Sequence, residues 1–475
     1  MATETSLMWG GGIPMTVKGG RLEFLVPHLL RSQVLRPQFV RWSLRLGAAR
    51  QMPKWAKLQF LNFGVTPQDL DRVLGRITSL EAWVDEWDNL GREQEALARR
   101  ALSFGRTLEA RDLFLRASAS FNFAQYVVFL DRERKLVLHE ACVNAYAMAA
   151  PLFDIPARPF EVPYRRRMLR GYLRVPPGVE PAPVVVMFNG TNSVKEELHW
   201  WSDALLARGL ATITFDGPGL GETFHRLSMV AEPRPVGLAI VNEVQSRPEL
   251  DPEAIAFFGQ SLGGYLAIRM ASFDSRIRAV AAVSPPYSAE VYWNVTLVGM
   301  RRELAALYGL TEEEMGREVH RITLDRSLPH LRCPLMVSGG GHDLITPGEE
   351  AWRIYDNAVC DREIVYYPRG GHDCFNMLGD LRPRMTGWLA RQLKFHRSRS
   401  RRPFLASETS DGQPQMAGEA VDIDFADALT GEATPREWNR AEPKTIPARW
   451  RPDAITPRAD TTVEVVLRRS PGVPV

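Results

Sequence analysis

The sequence predicts an α/β protein, a mostly parallel sheet covered by helices on both faces, preceded by a helical region. Three observations predict it. Short apolar runs alternate with helical patterns from about residue 159 to 395. The runs are apolar throughout, as in strands buried on both faces. The segment before them carries helical periodicity and few β-branched residues.

The chain divides into three parts on this reading: 1–155, a helical region; 156–398, the α/β part, with 287–330 as a mixed helical insertion; and 399–475, a polar tail. In the first part, SLEAWVDEWDNLGREQEALARRALSFGRTLEARDLFLRASASFNFAQYVVF repeats apolar positions at three- and four-residue spacing. Ala, Leu, Glu and Arg dominate it, and all are good helix formers. In the second part, FEVPYRRRMLRGYLRVPP alternates and turns at Pro176-Pro177, as two antiparallel strands do. PVVVMF (183–188) is a buried strand, KEELHWWSDALLARG (195–209) a helix and LATITFDG (210–217) a strand. IAFFGQ (255–260) is a strand followed at once by the helix LGGYLAIRMAS (262–272). AVAAVSP (279–285), PLMVSGG (334–340) and EIVYYP (363–368) complete the strands, with helices at 348–358 and 376–394. The tail is rich in polar residues, Pro and Gly and lacks the apolar periodicity of a packed domain. Its TTVEVVLRR (461–469) fits a single strand.

The 475 residues carry 59 basic and 56 acidic side chains, a net charge of +3. That near balance gives no case for a nucleic-acid partner. Cys142, Cys333, Cys360 and Cys374 are scattered, without a CxxC pair or metal-type spacing. A reduced, cytoplasmic protein is the expectation. No secretory signal and no apolar run of membrane-spanning length are visible.

The chemistry is written in Gly259-Gln260-Ser261-Leu262-Gly263-Gly264, which fits G-x-S-x-G between a strand and a helix. A serine in that sharp turn is exposed as a nucleophile, and the glycines let the chains pass. A chance Gly-rich turn is the bland alternative, and the flanking strand and helix argue against it. Serine needs a base to take its proton. In this setting the chain order is Ser, acid, His. Asp343 follows the strand 334–340, and His372 follows the strand 363–368. His372 is the general base and later acid, and Asp343 orients it. Three rivals rank below them: His342 as a loop histidine, Asp373 as a mere sequence neighbour of the base, and His199 as a surface helix residue. The oxyanion donors are the N–H of Leu262 and one from the loop Asn189-Gly190-Thr191-Asn192, with Thr191 favoured. No HGGG stands there.

MFNGTNSVKEELHWWSDALLARGLATITFDGPGLGET, GQSLGGYLAIRMAS, YSAEVYW and GGHDCFNMLGDLRPRMTGWL together extend the match beyond a fold. Over roughly 160–395 the chain resembles the α/β-hydrolases that include the dihydroxypseudooxynicotine hydrolases, the polyketide chain-shortening hydrolases and the fermentation-respiration-switch-like esterases. The resemblance implies a Ser261–Asp343–His372 triad, a helical cap over the site and a homodimer. It also implies a small-molecule substrate, with no metal and no organic cofactor. Several relatives cleave a carbon–carbon bond next to a carbonyl, a retro-Claisen reaction; others hydrolyse esters. In that comparison a carboxylate after the sixth strand assists, and Glu290 stands near its place. A surface glutamate of the insertion is the competing reading. Asn189 and Trp200 are candidate pocket residues. Trp200, Trp201, Tyr287, Tyr292 and Trp293 suit a flat substrate, or ordinary packing of the cap. The expected function is retro-Claisen cleavage of an aromatic or polyketide-like ketone. A carboxylesterase or thioesterase using the same triad is the second reading, and a non-catalytic scaffold the third.

Overall fold

Helices come first, as the composition of the N-terminal region predicts. The computed structural model describes residues 36–400, except 53, 129–130 and 296–297, together with strands β1 (Ser6–Met8), β2 (Pro14–Thr16) and β11 (Val465–Arg469). Six helices precede the sheet: α1 (Arg36–Arg45), α2 (Lys54–Asn62), α3 (Pro67–Arg76), α4 (Leu80–Ser103), α5 (Thr107–Gln125) and α6 (Arg132–Ala149). Their starts obey local rules. Thr66 caps α3 through the Asp69 N–H at 3.1 Å, with Pro67 at the first helical position, and Ser79 caps α4 through the Ala82 N–H at 3.0 Å.

The sheet strands are β3 (Arg158–Tyr164), β4 (Arg167–Arg174), β5 (Ala182–Phe188), β6 (Ala211–Phe215), β7 (Leu250–Gln260), β8 (Ile277–Val283), β9 (Leu335–Gly340), β10 (Arg362–Tyr367) and β11. Their order is β11-β10-β9-β8-β7-β5-β6-β4-β3. The six strands from β10 to β6 are parallel; β4, β3 and β11 pair antiparallel at the edges. The β3–β4 hairpin turns at Arg165-Arg166, both at positive φ, and not at Pro176-Pro177. Two left-handed residues in a row match the twist of a tight hairpin. The remaining helices are α7 (His199–Leu206), α8 (Arg234–Gln245), α9 (Leu262–Ala271), α10 (Ala289–Val295), α11 (Val298–Leu307), α12 (Glu312–Glu318), α13 (Glu349–Asn357) and α14 (Leu378–Ser400). Helix α8 has no counterpart among the helices expected from the sequence. The 195–209 helix is instead a 3-10 turn, Lys195–Leu198, followed by α7.

Every residue of β5 is buried, and alternate residues face opposite layers. Val184, Val186 and Phe188 pack with Ile240 of α8 and Ile268 of α9. Val185 and Met187 pack with Trp201 of α7 and Leu389 of α14, and the same apolar cluster takes in Phe60, Trp87 and Phe123 of the N-terminal helices. The Phe60 ring stacks on Trp87 at 5.2 Å and meets Phe123 edge-on at 4.8 Å. The helical layer is therefore packed into one face of the sheet side of the core. This is the α/β-hydrolase architecture.

The chain leaves β5 to one side for β6 and returns on the other side for β7. The carboxyl ends of β5 and β7 thus flank a topological switch point, where open α/β sheets form their binding crevice. Of the tail, β11 pairs antiparallel with β10, so the strand expected within 461–469 is an edge strand. Residues 401–464, on which the expectation of a loose tail falls, lie outside the described residues. Among the described residues no helix is long and apolar enough to cross a membrane.

Candidate active site

Ser261 stands at the switch point between the end of β7 and the start of α9, 7% exposed, with φ 51° and ψ −122°. That left-handed backbone is costly for a serine and is held by its surroundings. The Ser261 N–H donates to Val283 O at 2.8 Å, and the Gly264 N–H donates to Ser261 O at 2.9 Å. The glycines are steric requirements. A Cβ on Gly263 would lie 2.3 Å from Phe188 O, and one on Gly259 would lie 2.2 Å from the Gly263 carbonyl. The N-terminus of α9, with Leu262 first, directs its free N–H groups toward the space beside Ser261.

The loop after β5 supplies the other wall. Gly190 passes against Ser261: a Cβ there would sit 3.4 Å from Ser261 Cβ. Thr191 follows, half-buried. Asn189 is fully buried and braces the loop by donating from Nδ2 to Ser193 O at 2.5 Å. Residues from α5 reach this loop. Gln125 Nε2 donates to Asn192 O at 2.6 Å. Ser193 Oγ and Asn122 Nδ2 each donate to Glu197 Oε2 at 2.7 Å, and the Tyr126 hydroxyl donates to the same oxygen. Burial pushes the Glu197 carboxyl up, against those three donors.

Asp343 and His372 come together from the loops after β9 and β10. His372 Nδ1 lies 2.9 and 3.0 Å from the two Asp343 oxygens. Asp343 is 2% exposed, and its Oδ1 also accepts from the N–H groups of Ile345 and Thr346 at 2.9 and 2.8 Å. The two loops touch closely: a Cβ on Gly340 would lie 2.4 Å from Gly370 O. Burial opposes the His372 charge, but Asp343, Asp373 and Glu197 outweigh it and raise the ring to about 9. No direct Ser261–His372 hydrogen bond is formed among the described residues. Such contacts are commonly long before substrate arrives.

Asp373 departs from the sequence reading, which ranked it as a bystander. Its Oδ2 lies 3.6 Å from His372 Nε2, the nitrogen opposite Asp343, and the residue is 6% exposed. A left-handed turn at Asp373 and Cys374 folds the carboxylate back on its own neighbour. Burial pushes Asp373 up to about 7. Glu197 was also missed, since its signal is a set of partners from another part of the chain. His199 is buried and not on the surface: the Tyr146 hydroxyl pairs with its Nδ1 at 3.0 Å, and Asp203 lies 3.3 Å from its Nε2. Burial lowers it. His342 is exposed. Glu290 is exposed in the first turn of α10 and is not among the acids that surround His372.

A small cavity of ≈ 20 Å³ lies beside the loop, walled by Phe63, Phe123, Trp200, Asn122, Cys142 and Glu197, with Ser261 and His372 outside its lining. Trp200 thus lines a cavity. Trp201 is fully buried against Phe258, and Tyr287 and Trp293 are in the core. The Tyr292 side chain lies outside the described residues. No cluster of His, Cys, Asp and Glu able to hold a metal occurs among the described residues.

A sharp strand–Ser–helix turn at the switch point of such a sheet is a mark of the α/β-hydrolases, and comparison with known proteins places the chain there. The family model described as "Esterase FrsA-like" matches residues 57–296, and a second, for acetyl xylan esterase, matches residues 237–391. The chain belongs to the FrsA-like esterase family within the α/β-hydrolases, and it is a hydrolase. It is 29% identical over 343 residues to the 2,6-dihydropseudooxynicotine hydrolase of Paenarthrobacter nicotinovorans, covering 71% of this chain and 91% of that one. It is 30% identical over 341 residues to the hydrolyase poxO of Penicillium oxalicum, covering 59% of this chain and 80% of that one. Among solved structures, that of the 2,6-dihydroxy-pseudo-oxynicotine hydrolase superposes with a TM-score of 0.65 at 28% identity, over 71% of this chain and 95% of that one.

Proposed function

We propose that this chain is a serine hydrolase in which Ser261 attacks, His372 moves the proton and Asp343 orients His372, and that it cleaves the carbon–carbon bond beside a carbonyl in an aromatic or polyketide-like ketone. The observation that carries the reading is the strained Ser261 at a helix N-terminus, at the sheet end where the Asp343–His372 pair also sits. Ser261 Oγ adds to the carbonyl while its proton passes to His372. The oxyanion is held by the N–H groups of Leu262 and Thr191; one such donor contributes about 3 kcal/mol. The electron pair of the broken bond leaves on carbon, is delocalised over a second carbonyl or ring, and takes up a proton. Water then releases the acyl group by the same base.

The ketone preference is supported by the likeness to the pseudooxynicotine hydrolase. We assign α2–α6 the part of a cap over the site. Carboxylic ester hydrolysis is the second reading, favoured by the two esterase family models. Purified enzyme offered p-nitrophenyl esters, acyl-phenols and β-diketones decides between them. Acid release from a β-diketone is expected; ester turnover alone would leave the esterase reading standing.

A further inference from the structure

His372 is held between two carboxylates, one at each ring nitrogen, and only one of them belongs to the triad. Asp343 takes Nδ1. Nε2 is the nitrogen that must face the nucleophile and the leaving group, and there the near oxygen is Asp373 Oδ2 at 3.6 Å. The backbone is bent to put it there. Asp373 (φ 52°, ψ 17°) and Cys374 (φ 50°, ψ 33°) are consecutive non-glycine residues in the left-handed region. Such conformations cost free energy and gather where function requires them. The second Asp373 oxygen, Oδ1, is buried and without a hydrogen-bond partner. Buried acceptors are nearly always paired, so an orphan at the reacting face needs a reason. A carboxyl group that meets substrate supplies one.

The proposed reaction supplies the need. An ester releases an alkoxide that His372 can protonate directly. A ketone releases an enolate carbon that accepts a proton only perpendicular to its plane, so a second donor beside Nε2 has a use that an alkoxide does not give it. Resting on the ketone reading above, we infer that Asp373, in its carboxylic acid form, is the proton donor to the leaving carbon. The Ser261 proton goes to His372 Nε2 as the Oγ–C bond forms. As the C–C bond breaks, its electron pair on carbon takes the Asp373 proton, leaving a carboxylate. The His372 imidazolium, 3.6 Å away, then returns a proton to Asp373, and both groups are restored. Water enters next: His372 takes its proton and gives it to Ser261 Oγ. The balance is one ketone plus one water giving one carboxylic acid and one protonated carbon fragment.

The groups that face Asp373 are His372 and Cys374 on its own segment, the Ser261 backbone, Asp343 after β9, Glu197 in the 3-10 turn before α7, and Tyr126 just after α5. Burial, Asp343 and Glu197 favour the neutral form the donor needs, while a charged His372 opposes it, so the donor form goes with the neutral His372 that the resting base also requires. The Asp373 pKa lies near 7, so the donor is lost as pH rises through neutrality.

The test is Asp373→Asn in the full chain, assayed on a β-diketone and on a p-nitrophenyl ester. Carbon–carbon cleavage is expected to fall at least about a hundredfold, the scale of a general acid, while ester hydrolysis falls less than about tenfold. Equal loss on both substrates overturns the inference, because Asp373 would then only position His372. Retention of both overturns it as well. If the variant does not fold, the wild-type enzyme decides. The ratio of ketone to ester turnover should fall as pH rises from 6 to 8.5, and a flat ratio overturns the donor role. A wild-type enzyme with no action on any ketone defeats the ketone reading and this role together, and shows it before any variant is made.

Discussion

Two buried clusters in this chain have the same composition, one base among three carboxylates, and they part company at consecutive residues. Lys195 meets Glu196, Asp216 and Glu222 at 2.7, 3.2 and 2.5 Å. His372 meets Asp343 at 2.9 Å and Asp373 at 3.6 Å, with Glu197 close enough to bias its charge. Residues 195 and 196 thus serve one cluster and residue 197 the other. Burial opposes the Lys195 charge, but Asp216, Glu196 and Glu222 outweigh it and hold the amine well above the usual lysine range. That proton is locked. The Asp216 carboxylate is also tied to the N–H groups of Lys195 and Glu222 at 2.9 and 3.2 Å. The His372 cluster has instead a base that can release its proton near neutrality. Burying charges together does not make a catalyst. An incompletely paired acid is common to both, since Glu196, like Asp373, has buried oxygens outside the hydrogen bonds and is pushed up by burial to about 7; the identity of the base separates the two.

The comparison can be broken at its largest expected effect first. Ser261→Ala should keep the fold and remove at least about a hundred-thousandfold of turnover, as loss of a triad serine does. Circular dichroism and turnover with either substrate class check it; substantial residual activity would mean that the His372 cluster serves another nucleophile. Next in size, Lys195→Met leaves Glu196 and Asp216 buried without their cation, while Glu222 keeps Arg170 at 3.5 Å, and should lower stability by about 3–5 kcal/mol. Urea unfolding measures that loss, and fluorophosphonate labelling of Ser261 in the folded fraction should persist. Loss of labelling in folded protein would merge the two clusters into one functional unit. The smallest effect is expected from Glu290→Gln. Its carboxylate is exposed on the insertion, so kcat should change by less than about twofold. A large loss would restore Glu290 as an assisting acid and weaken the case for Asp373.

Much of the active site is legible in the sequence because its parts obey local rules. The elbow needs glycines two residues either side of Ser261 and a strand and helix around it, all within one short segment. Asp343 and His372 follow from strand order, since parallel strands present their carboxyl ends on one side of the sheet. The hairpin turn was not legible: Arg165-Arg166 carries none of the usual Gly or Asn signals for positive φ. Helix α8 was missed although Pro235 and the spacing of Val236, Ile240 and Val244 mark it. His199 read as a surface residue because its polarity was visible and its partner Tyr146, far back in the chain, was not.

The sequence by itself determined the α/β class and pointed to Ser261, Asp343 and His372 in that order, since these depend on patterns of a few residues and on strand succession. Only the tertiary structure decided which acids share the base. Asp373 reaches Nε2 through a left-handed turn that its residue types do not announce. Glu197 joins the site because Asn122 and Tyr126 of a distant helix fix its carboxylate there. Both placements rest on contacts between segments far apart in the chain, and on a burial that no local pattern encodes.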